Sequence, residues 1–304
     1  MRTAVIGAGA MGASFGGLLA RAGRDVTLID RWAAHVEAIR AHGLRVDWPG
    51  GEERIAVTAA TPAEAGHGYD AVVVFCHQND TAWAAGEAAR RLAPDGWAVT
   101  FQNGLGQLEV LGEALGAARV VGGSTRCSAW LRGPGHAVLS HLDETCVGEV
   151  AGGTSARTTA LAAALTAAGI PTDAVDDVVA RIWRKWTINC AVNPICAATG
   201  LRLNEMIQVA ELDALQDRVL DEVFAVAAAE GVALDGAAIR ASIKANCRQK
   251  DNKPSMLQHL EARRPTEIDA LNGIAVARGA AHGLATPANA DLVAIVKGLE
   301  RRPG

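Results

Sequence analysis

The 304-residue sequence predicts an α/β chain in which a doubly wound parallel sheet is followed by an all-helical C-terminal domain. Three observations carry this. Short apolar runs alternate with helix-period segments as far as about Cys146, strand signals cease after Gly169-Ile170-Pro171-Thr172, and a glycine triplet follows the first apolar run directly.

In chain order, the strand candidates are residues 3–6, 26–29, 71–75, 97–101 and 118–121, each bounded by Gly, Asp or Pro. The segments 13–22, 32–42 and 81–92 carry apolar residues at helical spacing. Strands alternating with helices imply parallel pairing with crossover helices on both faces. Residues 136–141 and 145–150 read as a hairpin extending the sheet with antiparallel strands, and the alanine-rich 160–168 is an ordinary core-facing helix. Then come only helical patterns, at 177–190, 212–230, 236–246, a long stretch around 255–283, and 288–301. The expected division is therefore a dinucleotide-binding domain over 1–175 and a helical substrate and catalytic domain over 176–304.

Half of the residues are apolar and the formal charge is -4, with Lys and Arg scattered. That excludes the basic field nucleic acid requires. No apolar run reaches the roughly 18 residues of a spanning helix, and the first residues enter a strand without a leader pattern, so a cytoplasmic protein without membrane partners is expected. The six cysteines form no CxxC pair and have no His spacing suited to zinc, so no metal is expected and reduced, mostly buried thiols are. A homodimer is one way to cover the apolar helices of the second half.

Gly7-x-Gly9-x-x-Gly12 follows a strand and opens a helix, and the second strand ends at Asp30. Gly7 permits a tight turn, Gly9 lets backbone approach a pyrophosphate, Gly12 lets helix and strand pack closely, and the helix start supplies N–H donors. This is a Rossmann-type dinucleotide site, with Gly7, Ala8, Gly9, Ala10, Met11 and Gly12 as the cradle. At the strand end Asp30 and Arg31 argue opposite ways: a carboxylate accepts both ribose hydroxyls and repels a 2′-phosphate, whereas a guanidinium clamps it. Asp30 tilts the expectation to NAD(H) over NADP(H). Further along, Lys185, Asn189 and Asn193 recur every four residues, one gently drifting line on a helix face just before Pro194. A lysine there is either a snorkelling surface charge or a functional ammonium, and the two amides on its line favour a polar cleft.

With the segment from Lys253-Pro-Ser-Met-Leu through Thr266-Glu267-Ile268-Asp269-Ala270-Leu271-Asn272-Gly273, these motifs resemble those of the ketopantoate reductases (2-dehydropantoate 2-reductases), and the likeness runs from Gly7 to Pro287. The resemblance implies an oxidoreductase of pantothenate biosynthesis that reduces a 2-oxo acid with NAD(P)H. It implies Lys185 as general acid and Glu267 as the acidic residue of the active site, which also touches the cofactor. Asn189, Asn193 and Ser255 match substrate positions. Asn204 matches another only with a one-residue insertion. Asn103, in Gln102-Asn103-Gly104, matches the family's loop beside nicotinamide and substrate, although an Asn-Gly turn is an equally good local reading. Where the family commonly has a lysine after the third of these strands, this chain has Cys76-His77-Gln78-Asn79, and His77 is the residue expected at the cofactor. The acid before Arg31 also departs from a family that usually takes NADPH. Related branched 2-oxo acids are therefore alternatives to ketopantoate. A 3-hydroxy acid or 6-phosphogluconate type dehydrogenase ranks below, because residues 176–182 lack a glycine-rich substrate loop. A dinucleotide-binding regulatory protein ranks lower still, because it would not need Lys185, Asn189, Asn193, Ser255 and Glu267 together.

Overall fold

A computed structural model of the protein describes residues 1–302. The chain divides into two compact units, Met1–Gln102 with Gly106–Val179, and Asn103–Leu105 with the residues from Ala180 onward.

The first unit contains β1 (Arg2–Ile6), α1 (Ala10–Arg21), β2 (Asp25–Ile29), α2 (Ala33–His42), β3 (Leu44–Trp48), β4 (Gly51–Ile55), β5 (Thr58–Ala60), β6 (Tyr69–Val74), α3 (Thr81–Arg91), β7 (Leu92–Thr100), α4 (Gln107–Leu115), β8 (Val120–Thr125), β9 (Ser128–Gly133), β10 (His136–His141), β11 (Thr145–Glu149), α5 (Ala156–Ala167) and β12 (Thr172–Ala174). Eight strands form one sheet in the order β12-β11-β8-β7-β6-β1-β2-β5. The central pairs are parallel, and β11 joins β8 antiparallel. After its first residue β1 is wholly buried, as a strand covered on both faces must be. Chain direction across the sheet reverses between β1 and β6, which makes the carboxyl ends of those strands the switch point where such sheets bind ligands.

A second sheet, β4-β3-β10-β9, was not expected. It also overturns the hairpin expected over 136–150. β10 pairs antiparallel with β9 and parallel with β3, while β11 belongs to the large sheet, so the two segments lie in different sheets. Helix α1 packs against both sheets and its residues 12–19 are all buried, so it is covered on more than one face. Two adjacent glycines make that possible: a Cβ at Gly16 would meet Leu28 at 2.5 Å, and one at Gly17 would meet Leu44 at 2.6 Å, in strands of the two different sheets.

The second unit is helical: α6 (Val178–Thr199, whose first two residues fall in the first unit), α7 (Leu203–Met206), α8 (Ala210–Ala229), α9 (Gly236–Gln249), α10 (Ser255–Glu261), a π-helical turn (Asp269–Gly273), α11 (Ile274–Ala281) and α12 (Pro287–Glu300). The stretch 255–283 is thus no single helix. After α10, Arg263 takes a φ of +53°, outside the helical region, Pro265 lacks an N–H to resume the ladder, and the chain restarts as the π turn. Conversely, α6 runs on through Pro194 to Thr199, beyond the expected end at residue 190. Pro194 cannot donate to the carbonyl of Cys190 one turn back, and the side chain of Asn272, in the π turn, donates to that carbonyl instead at 3.1 Å. Asn272 also donates to Asn289 Oδ1 at 2.8 Å, and the Glu222 carboxylate accepts from the Ala288 and Asn289 backbone at the start of α12. Among the described residues no helix is long and apolar enough to cross a membrane.

Candidate active site

Three residues far apart in sequence meet in the second unit. Lys185, half-buried on α6, donates from Nζ to Asn103 Oδ1 at 2.8 Å, and Asn103 donates from Nδ2 to Glu267 Oε2 at 3.0 Å. The amide can serve both neighbours only in this orientation, because the ammonium only donates and the carboxylate only accepts. Each partner comes from a position with little freedom. Asn103 precedes Gly104, whose φ of +87° and approach to Ala270, where a Cβ would lie 2.7 Å from the carbonyl oxygen, require glycine. Glu267 stands just ahead of the π turn and accepts the Leu271 N–H at its backbone oxygen. Trp186, beside Lys185 and almost fully buried, donates from Nε1 to the Leu271 carbonyl at 3.2 Å, tying α6 to the same turn. The arrangement presents an ammonium with a fixed amide and a carboxylate behind it, the equipment to protonate a developing alkoxide.

Along α6 the polar line continues inward, from half-buried Asn189 to buried Asn193. Ser255 is exposed in the first turn of α10, after Pro254. Asn204 is half-buried on α7; its carbonyl accepts from Gln208 Nε2 at 2.7 Å, and its side-chain oxygen is buried without a hydrogen-bond partner. Hydrogen bonds join Lys185, Asn103 and Glu267 into one trio, which does not include Asn189, Asn193, Asn204 or Ser255.

In the first unit the glycine turn has the geometry that a dinucleotide cradle needs. Gly7 has φ of +87°, and it and Ala8 both donate to the Ile29 carbonyl, at 3.0 and 3.3 Å, locking the turn to β2. A Cβ at Gly12 would lie 2.1 Å from the Gly7 oxygen, so helix and turn meet there without room for a side chain. A Cβ at Gly9 would meet nothing within 4 Å, which leaves the face over the helix start open. No side chain caps α1 at Gly9 and its first turn has no acid, so the N–H groups of Ala10 and Met11 are suited to a diphosphate. These residues fit a dinucleotide. At the end of β2, Asp30 Oδ1 accepts from the Trp32 N–H at 2.9 Å, while Arg31 pairs with Asp80. His77 begins the 3-10 turn Gln78–Asp80, and its carbonyl accepts from Gln102 Nε2 at 3.4 Å. That same Gln102 amide bonds the Cys76 carbonyl and the Thr81 hydroxyl, joining the loops after β6 and β7. Sequence reasoning gave no role to Gln102, Asn272 or Asp80. The polar residue at a strand's carboxyl end was the available signal for Gln102, and the proline inside α6 for Asn272.

Residues 3–152 match the family model described as ketopantoate reductase PanE/ApbA, and residues 177–300 match its C-terminal counterpart. The chain is similar to a 2-dehydropantoate 2-reductase of Halobacterium salinarum (32% identity, covering 100% of both chains) and to one of Archaeoglobus fulgidus (33%, covering 98% of each). Among solved structures, it resembles a PanE/ApbA family ketopantoate reductase from Ralstonia eutropha with a TM-score of 0.91 at 34% identity, over 99% of this chain and 98% of that one. It also resembles a D-mandelate dehydrogenase, solved with NADH and anilino(oxo)acetate, with a TM-score of 0.90 at 26% identity over 99% and 98% of the two chains.

Proposed function

This chain belongs to the ketopantoate reductase family, and from that premise we propose that it reduces 2-dehydropantoate to pantoate with Lys185 as the general acid. When bound, the nicotinamide dinucleotide supplies the hydride that adds to the C2 carbonyl carbon. Lys185 then delivers a proton from Nζ to the oxygen that becomes the hydroxyl, and its charge stabilises that oxygen as it turns negative. The single observation behind this role is the Lys185–Asn103–Glu267 chain at 2.8 and 3.0 Å. Glu267 holds the amide, and the amide holds the ammonium in one place, so the proton is delivered from a fixed point. Asn189, Asn193, Asn204 and Ser255 are proposed to bind the substrate, with the carboxylate taken by the Ser255 hydroxyl. The division into a dinucleotide-binding part over 1–175 and a catalytic part over 176–304 belongs to the same reading.

For the cofactor, the reading is a dinucleotide on the turn Gly7–Gly12, its adenosine ribose on Asp30, with NAD(H) preferred over NADP(H). The carboxylate at Asp30 and the engagement of Arg31 by Asp80 support that preference. A second substrate reading, another 2-oxo acid in place of ketopantoate, is favoured by the likeness to the D-mandelate dehydrogenase crystallised with an oxoacetate and NADH.

The test is absorbance-monitored oxidation of NADH and NADPH by the purified protein with ketopantoate and a small panel of aliphatic and aromatic 2-oxo acids. Ketopantoate turned over most efficiently supports the first reading. A preference for another acid replaces it with the second, and no turnover of any of them removes the reductase assignment.

A further inference from the structure

We propose that Asp80 sets the cofactor preference of this enzyme, by holding the Arg31 guanidinium in an ion pair that a 2′-phosphate would have to break. The inference rests on the dinucleotide reading of the first unit. Arg31 directly follows Asp30, the residue read as the ribose contact, and its Nη2 lies 2.6 Å from Asp80 Oδ2. The same guanidinium stacks over the Trp83 ring at 4.4 Å. Two independent contacts thus fix its position and orientation, one on the 3-10 turn after β6 and the other in the first turn of α3.

Asp30, Arg31 and Asp80 sum to one negative charge before any ligand arrives. A ribose with two hydroxyls donates to the Asp30 carboxylate, which carries that remaining charge, and brings no charge of its own. A 2′-phosphate brings roughly two more negative charges, and Arg31, the guanidinium placed to meet it, is already paired with Asp80. Asp80 and Asp30 both act on the half-buried Cys76 thiol in the same sense, helping its partial burial push it up to about 12, while Arg31 opposes them, which places all three charges near that thiol. Cation–π stacking on Trp83 favours an engaged Arg31 further, since moving to a phosphate would forfeit that contact too. Asp80 is a positioning residue here, acting on the ligand through Arg31. Its pairing is partly exposed, with side-chain exposures of 53% and 32% for Arg31 and Asp80, so the effect weakens with salt.

The test uses direct binding on the full chain, by titration of NADH and NADPH followed by fluorescence or heat, without any 2-oxo acid. In D80N the ratio Kd(NADH)/Kd(NADPH) is expected to rise about tenfold at low salt, because one negative charge is removed and the guanidinium is released. Adding R31A to D80N should cancel that gain, and R31A alone should change the ratio by less than about threefold. D80E, which keeps the charge, should hold the ratio near that of the parent chain. A ratio unchanged in D80N, or a gain that survives R31A, overturns the role of Asp80 while leaving the dinucleotide site intact. Failure of the parent chain to bind either cofactor overturns the dinucleotide reading and the inference with it. Cofactor binding with no turnover of any 2-oxo acid touches only the reductase reading.

Discussion

Lys185 carries one formal charge, and the proposed chemistry depends on where that charge stands. Replacing it by Ala should lower kcat by about 10²–10⁴-fold while the NADH dissociation constant stays within about threefold; a rate within tenfold of the parent chain would remove it as the acid. The lysine and its line-mates Asn189 and Asn193 were legible because a helix repeats in sequence. Asn103 as the residue joining Lys185 to Glu267 was not, since its partners lie 82 and 164 residues away and only the fold brings them together. His35 gives the fold a sensitivity to acid. It is fully buried on α2 and accepts the Gly135 N–H at Nδ1 at 3.0 Å. Burial holds its pKa below the ordinary 6.5, against the opposing charge of Asp30. A depressed histidine resists protonation only while folded, so below the ordinary 6.5 the unfolded chain takes the proton more readily and stability falls as pH drops toward the folded value. Melting temperatures compared at about pH 8 and about pH 5.5 should therefore fall further for the parent chain than for H35N, which keeps an acceptor without titrating. Parallel falls would mean that other groups carry the acid sensitivity.

Helix α6 shows why elements were read well in kind and poorly in extent. Its sequence has a proline where local rules end a helix, and the end was expected four residues earlier. The helix continues because Asn272 supplies the hydrogen bond that Pro194 cannot, a side-chain contact from a distant segment that no window of sequence contains. N272A should accordingly cost about 1–3 kcal/mol, leaving the buried Cys190 carbonyl and the Asn289 side chain each short of a donor. Adding P194A restores a backbone N–H to the first of these, so denaturant midpoints should show the double variant recovering part of the loss. Simple additivity would remove this account of the helix. The second sheet escaped notice for a different reason. β4 buries only Ile55, and β9 alternates exposed with half-buried positions, so neither shows the apolar run by which the central strands were recognised. The turn at Gly135 then sends β10 back along β9, and residues 142–144 carry the chain across to the large sheet.

At the scale of the whole chain, the class of fold and the order of sheet before helices were readable, because apolar period and glycine placement are properties of sequence alone. Six cysteines spread over both units offer a global check. Cys146, Cys190, Cys196 and Cys247 are buried, and Cys76 and Cys127 are half-buried. Burial pushes Cys76 and Cys196 up to about 12 and raises Cys190 and Cys247 as well, so these thiols hold their protons at neutral pH. A thiol reagent should label the native protein slowly and at no more than the two half-buried positions, and all six at once after denaturation; rapid native labelling of four or more would contradict the packing described. The course of the chain through Asn103–Leu105, which leave the first unit for the second and return, has a consequence for descent. A recombination event that joined the sheet of one ancestor to the helices of another at residue 179 would transmit Lys185 and Glu267 but take the amide between them from the other parent. Lineages that shuffled these halves would thus have to inherit a compatible three-residue loop from the opposite donor, so the heritable module is the pair of units rather than either one.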